Sequence, residues 1–259
     1  AGRCRTGKGR AMQINDYGKL CTMMYEQLHP TADPQELAFY LSYAKPGEQM
    51  LELLCGSGRF LIPFWKKGLS IDGVDLSAQM LEQLEQKLPE AKPALHCCSA
   101  DEYQSEKRYD YIFITCNSFS LFTDKELAKR VLKNAKRLLS EQGVFVFAVD
   151  TVSSVEPGDG ELSQTVDQPL EDGKLLRMRM GARYDAAAQV QYYPSVYELW
   201  QGQQLLHSEP MDFQTRLYRL GELDALLAEA GFRSWTVYDR FDKHPAQGDE
   251  TGTLLYECR

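Results

Sequence analysis

The chain is short of positive charge, poor in histidine and without paired thiol spacings. Across 259 residues, 29 Lys and Arg stand against 37 Asp and Glu, a formal charge of −8. A surface that coats nucleic acid needs clustered cations, so nucleic acid is not expected as a partner. The 7 cysteines include no C-x-x-C spacing, and only 4 histidines accompany them. That pattern argues against a disulfide framework and a zinc knuckle; no metal is expected, and a reducing, cytoplasmic compartment fits. No run of about 18 apolar residues occurs, and no signal-peptide pattern, so neither a membrane span nor an export leader is expected.

What is present is an ordinary globular composition, 43% hydrophobic and 25% charged, enough for one large α/β domain or two small ones. Basic residues cluster only at the start, where Arg3, Arg5, Lys8 and Arg10 meet no acid. Residues 1–11 read as an expression scar before a natural start at Met12, with a basic nucleic-acid-binding arm as the rival reading. Gly2 to Lys8 spells G-x-x-x-x-G-K, but Gly9 stands where a phosphate loop needs Ser or Thr, and no strand precedes it.

Periodicity then alternates helix and strand. Helices are expected over 15–29, 33–44, 59–67, 77–88, 124–139 and 221–230, with Asp33 and Ser77 as N-caps. Strands are expected over 49–54, 70–75, 94–98, 109–115 and 144–149, which predicts right-handed βαβ units and a mostly parallel sheet. After Asp150 the texture changes. Turn signals fill 151–173, and four strand-like runs follow at 174–184, 189–199, 204–210 and 211–219, an antiparallel meander. The last two strands, 234–238 and 253–258, leave no room for a crossover helix and should pair antiparallel.

The stretch 50–60, MLELLCGSGRF, is strand, tight turn and helix start. Gly56 and Gly58 allow a ligand close to the backbone, and the helix start offers free N–H groups. A dinucleotide fingerprint needs a third glycine, where this chain has Leu61. Asp75 ends the next strand, 17 residues after Gly58, where an acid can accept both hydroxyls of a ribose. Asp101 follows the third strand and can accept from an adenine amino group. All of these positions lie at the carboxyl ends of parallel strands.

Taken together, LELLCGSGRF, IDGVDLSAQML, CCSADEYQ and YDYIFITCNSFSLF resemble the class I S-adenosylmethionine-dependent methyltransferases, most of all those acting on small-molecule nitrogen or oxygen. The resemblance runs from about Tyr17 to the C-terminus. It implies an α/β, Rossmann-like, seven-stranded, mostly parallel sheet with an antiparallel last strand. It divides the chain into a core of 12–150 and 220–259 and an antiparallel β substrate lid at 151–219. It further implies S-adenosylmethionine as cofactor, with S-adenosylhomocysteine as product. Glu52 and the turn Cys55, Gly56, Ser57 and Gly58 would hold the methionine portion, and Asp75 the ribose. Leu76 and Met80 would pack the adenine, and Ala100 and Asp101 would meet its edge. Cys116, with Asn117 beside it, would reach the cofactor amino group, and Tyr17 and Tyr25 would close over it. Asn117-Ser118-Phe119 differs from the N-P-P-Y type motif, which argues against a nucleobase or protein-amide target.

The implied activity is methyl transfer to an amine or hydroxyl of a small molecule. An amine must arrive neutral, and a hydroxyl needs a base. Candidate bases are His29, Asp150, Tyr193, Tyr197 and His207. Tyr193 and Tyr197 should share one strand face with Ser195, while Tyr192 faces away. Arg177, Arg179, Arg183 and Arg216 are candidates for an acidic substrate group. The alternatives are an RNA or protein methyltransferase, a non-catalytic cofactor-binding module and an NAD-dependent oxidoreductase. Acceptor identity and oligomeric state are not legible.

Overall fold

The computed structural model describes residue 15, residues 17–88 and residues 92–259, so the proposed scar at 1–11 lies outside the described residues. The chain opens with helices α1 (Lys19–Leu28) and α2 (Pro34–Leu41). Strands and helices then alternate through β1 (Gln49–Leu53), α3 (Leu61–Lys66), β2 (Ser70–Asp75), α4 (Ala78–Lys87) and β3 (Leu95–Cys97). They continue with β4 (Tyr109–Ile114), α5 (Lys125–Leu138) and β5 (Leu139–Asp150). A run of strands follows, β6 (Gln164–Pro169), β7 (Leu175–Met180), β8 (Arg183–Asp185), β9 (Val190–Gln201) and β10 (Gln204–Arg216). The chain closes with α6 (Asp224–Ala230), β11 (Trp235–Tyr238) and β12 (Thr253–Cys258).

Seven strands form one sheet in the order β11-β12-β5-β4-β1-β2-β3. Strands β1 to β5 pair in parallel, and β12 runs antiparallel to both β5 and β11. The chain leaves β1 outward through β2 and β3, then returns to β4 on the other side of β1. That reversal opens a crevice at the carboxyl ends of β1 and β4. Alternate residues of each strand feed opposite faces. Phe145, Phe147 and Val149 pack with Val131, Leu132 and Leu227 from α5 and α6. Val144, Val146 and Ala148 share the other face with Phe39, Tyr40 and Phe64 from α2 and α3. The caps read from sequence are present: Asp33 accepts from the Gln35 and Glu36 N–H groups at 2.9 Å, and Ser77 accepts from Met80 at 3.2 Å.

The second sheet departs from the sequence reading in three places. β10 runs unbroken through Pro210, where two runs were expected to part. It is an edge strand, where a missing N–H need cost no ladder bond. The run 174–184 divides into β7 and β8 at Gly181, where a Cβ would lie 2.3 Å from the Glu161 carbonyl oxygen. β6 arises inside the turn-rich stretch, carried by its pairing with β7 and by the Asp167–Arg177 ion pair rather than by apolar alternation. In the first sheet, β5 starts at Leu139, five residues before the expected Val144.

Helix α1 starts at Lys19, not at residue 15. Its N-terminus is capped from far away: the Leu20 N–H donates to Glu209 Oε2 of β10 at 2.7 Å. Leu20, Cys21 and Met24 pack on Leu176, Tyr197 and Met211, joining α1 to the second sheet. Cys98 is disulfide-bonded, where the cysteine pattern argued against a disulfide framework and for a reducing compartment; Cys21, Cys55, Cys97, Cys116 and Cys258 are free. Among the described residues, no helix is long and apolar enough to cross a membrane.

Candidate functional site

A cavity of about 1510 Å³ fills the space between the carboxyl ends of β1 to β5, α1 and the second sheet. Its floor is the β1–α3 turn. Gly56 and Gly58 both hold positive φ, 53° and 86°. Their roles differ. A Cβ on Gly58 would meet Leu84 Cδ1 at 2.1 Å, so this glycine lets the turn pack on α4. A Cβ on Gly56 would meet nothing within 4 Å, and Gly56 lines the cavity. Leu54, also on the wall, holds φ 57°, a region that costs a non-glycine residue about 1–2 kcal/mol.

Asp75, at the end of β2, stands opposite the turn. Its carboxylate accepts from the Gly56 N–H at 2.7 Å and the Ser77 N–H at 2.8 Å. Leu76, Met80, Ala100 and Asp101 continue the wall, and Asp101 accepts from Arg130 Nε at 2.9 Å. Cys116 and Asn117 follow β4 with φ of 56° and 53°, turning the chain sharply at the crevice. The Cys116 N–H donates to Glu36 Oε1 at 2.8 Å, and Arg59 donates to Cys116 Sγ at 2.6 Å. Burial pushes the Cys116 thiol up to about 12, against the pull of Arg59. Asn117 turns its side chain elsewhere, donating to Asp150 Oδ1 at 2.7 Å and Thr253 Oγ1 at 2.9 Å.

Glu52 near the end of β1, and Cys55, Ser57 and Gly58 of the turn itself, do not line the cavity, unlike Gly56. Glu52 is buried; its Oε1 accepts from Thr115 at 3.2 Å, while Oε2 has no hydrogen-bond partner among the described residues. Burial holds its carboxyl well above the usual range. Arg59 Nε is likewise buried and unpartnered.

Tyr17 and Tyr25 meet edge to face with centroids 6.1 Å apart, and both line the cavity. The Tyr17 segment is tied down at two points. Ser77 Oγ donates to the Tyr17 carbonyl at 2.9 Å. Asn15 donates to the Leu121 and Gln214 carbonyls and accepts from the Gln214 N–H at 2.7 Å.

Of the candidate bases, His29, Asp150, Tyr193 and Tyr197 line the cavity. Burial, helped by Arg59, holds His29 below its ordinary value. His207 lies outside the cavity, exposed and 3.2 Å from Glu209. Tyr193, Ser195 and Tyr197 share the inward face of β9, as the strand period requires. The four arginines named from sequence do not reach the cavity. Arg177 pairs with Asp167, Arg179 with Glu198 and Arg216 with Glu222, while Arg183 lies 4.1 Å over the Tyr192 ring. The sequence reading passed over Arg59, Glu36, Leu54 and the methionines Met178, Met180 and Met211. Arg59 carried the one available signal, being the residue directly after the glycine turn.

Residues 50–143 match the methyltransferase domain family. YqeM of Bacillus subtilis (strain 168), to which a methyltransferase role is ascribed, is 26% identical over 129 residues, 49% of this chain and 52% of that protein. The chain spans about half the length of the curated relatives it matches. An S-adenosylmethionine-dependent methyltransferase from Clostridium acetobutylicum ATCC 824 superposes with a TM-score of 0.70 at 18% identity, over 92% of this chain and 96% of that one. The sugar N-methyltransferase KedS8 from Streptoalloteichus sp ATCC 53650 superposes with a TM-score of 0.73 at 16% identity, over 97% and 98% of the two chains. These likenesses establish the class I methyltransferase fold over nearly the whole chain.

Proposed function

We propose that this chain, which carries a methyltransferase domain on the class I fold, moves the methyl group of S-adenosylmethionine to a nitrogen or oxygen of a small molecule. The observation that carries the reading is the cavity at the β1/β4 reversal, floored by the open face of Gly56 and faced by the Asp75 carboxylate.

The residues present fit the cofactor. Its amino-acid end bears an ammonium and a carboxylate; Arg59, on the cavity wall, has a buried Nε without a hydrogen-bond partner among the described residues, and so has Glu52 Oε2 in β1, which would have to be reached behind that wall. Asp75 would take the ribose hydroxyls, and Leu76, Met80 and Ala100 would hold the adenine. Asp101 would meet the adenine edge, and Tyr17 and Tyr25 would cover the cofactor. The bound cofactor supplies a sulfonium methyl that is already activated, so the protein's tasks are alignment and water exclusion. The second sheet serves both, placing Met178, Met180, Met211, Phe213 and Tyr197 on the cavity wall. Such a wall suits a reaction whose positive charge disperses as it proceeds. KedS8, a sugar N-methyltransferase, shows that the same fold handles small acceptors.

The test is transfer of labelled methyl from S-adenosylmethionine to three acceptor pools: small amines and alcohols, total RNA, and protein. Label is expected in the small-molecule pool. Label confined to RNA or protein would overturn the substrate class while leaving the reaction intact.

A further inference from the structure

Beside the cofactor residues, the cavity has an acceptor side built from the end of β5 and the second sheet, and its charge is of one sign. Asp150, Glu156 and Asp124 line it. Asp124 is already used as the cap of α5, accepting from Leu127 at 2.7 Å. The arginines lining the cavity, among the described residues, are Arg59 and Arg130, and both are engaged elsewhere, with Cys116 and Asp101. Asp150 is held in place by Asn117 through Oδ1 alone, and its Oδ2 has no hydrogen-bond partner among the described residues. Glu156 is fixed through its backbone: its N–H donates to Gln191 Oε1 and its carbonyl accepts from Gln191 Nε2, both at 3.1 Å. Gln191 is fully buried, so the rim carboxylate starts from a rigid base. Tyr193 lines the cavity with the two acids, and burial first, then their charges, hold its phenol above its ordinary value.

We infer that the methyl acceptor is an amine that is a cation in solution, drawn in by Glu156 and bound by the free oxygen of Asp150. This rests on the methyl-transfer reading and settles, within it, nitrogen over oxygen. A neutral hydroxyl gains only a hydrogen bond from the two carboxylates, whereas an ammonium gains an ion pair in a water-poor site. The chemistry then balances. One N–H bond of the ammonium breaks and its proton passes to Asp150 Oδ2. The freed lone pair forms the N–CH₃ bond as the methyl–sulfur bond breaks, its electron pair staying on sulfur. The nitrogen regains its positive charge, and Asp150 returns its proton to water. Burial pushes the Asp150 carboxyl up to about 6, against the hydrogen bond from Asn117, which makes it a better proton acceptor than an exposed aspartate.

The test compares benzylamine with benzyl alcohol, matched in shape, by calorimetric titration of the S-adenosylhomocysteine-loaded protein. Benzylamine is expected to bind at least about tenfold tighter. Asp150→Asn keeps an oxygen for Asn117 and removes the charge, and it should erase the preference while leaving S-adenosylhomocysteine binding intact. Glu156→Gln, on an exposed loop, should reduce the preference about threefold, because rim charges are screened. Equal binding of the two probes, or a preference that survives Asp150→Asn, overturns the inference. Should Asp150→Asn not fold, an unchanged preference in Glu156→Gln overturns it instead. Failure of the wild-type protein to bind S-adenosylhomocysteine overturns the methyl-transfer reading itself.

Discussion

At the scale of the residue, Glu52 shows how a site holds unfavourable chemistry in reserve. Its carboxyl is buried, hydrogen-bonded through one oxygen only, and held well above its ordinary range by burial. The unfolded value is about 4.3. Between the two values the folded protein keeps a proton that the unfolded chain has lost, so stability falls as pH rises through that window. Glu52→Gln removes the titration. It should raise the unfolding midpoint at neutral pH and flatten the midpoint's pH dependence, while S-adenosylhomocysteine affinity drops about tenfold because the carboxyl that an arriving ammonium would ionise is gone. A lowered midpoint with unchanged affinity would make Glu52 a purely structural residue. The resemblance pointed to Glu52 as a cofactor residue, but its burial was not legible in sequence: a Glu at the fourth position of an apolar strand reads as an interruption, and only its neighbours Thr115 and Arg59, brought in by β4 and the turn, show what it lacks. His207 is the opposite case. It had the right chemistry, and β10 carries it to an exposed position outside the cavity.

At the scale of the element, the β1–α3 turn separates two glycines that sequence treats alike. Gly58→Ala places a Cβ 2.1 Å from Leu84 Cδ1 at a φ of 86°, and should destabilise the fold by about 2–4 kcal/mol, read by urea unfolding. Gly56→Ala meets no atom and should cost only about 1 kcal/mol, but its Cβ occupies cavity space and should weaken S-adenosylhomocysteine binding more than tenfold. Equal stability losses would mean that neither glycine serves a ligand. The βαβ elements were legible because strand, cap and helix signals are local: Asp33, Ser77 and Asp124 cap the helices their spacing announced. The second sheet was less so. β6 carries no apolar alternation and exists through its pairing with β7, and Pro210 marks a strand end only if one does not know that β10 is an edge. The cap of α1 comes from Glu209, 189 residues from Leu20, beyond the reach of any local signal.

At the scale of the whole molecule, two sheets and α1 enclose a large cavity. The parallel sheet contributes its carboxyl ends, the second sheet its methionine and aromatic face, and α1 packs on that face while presenting Tyr17 and Tyr25. Asn15 and Tyr17 tie the chain's start to both sheets, through Gln214 on one side and Ser77 on the other. The mostly parallel sheet and its antiparallel close followed from the sequence, because alternating elements leave few right-handed topologies. That Tyr17 and Tyr25 would cover the site was implied by the resemblance, but the packing of α1 on the second sheet was not, since it depends on contacts between residues far apart in the chain. The central claim is that this enclosure holds an adenosyl-sulfur cofactor. Its most direct test is the thermal unfolding midpoint with S-adenosylhomocysteine, S-adenosylmethionine and NAD at matched concentrations. A ligand bound only by the folded state at about 100 times its dissociation constant adds about 2.7 kcal/mol, enough for a rise of a few degrees. The account predicts that rise with the two adenosyl-sulfur compounds and none with NAD. A rise with NAD alone would contradict it and make Gly56, Gly58 and Asp75 a dinucleotide site.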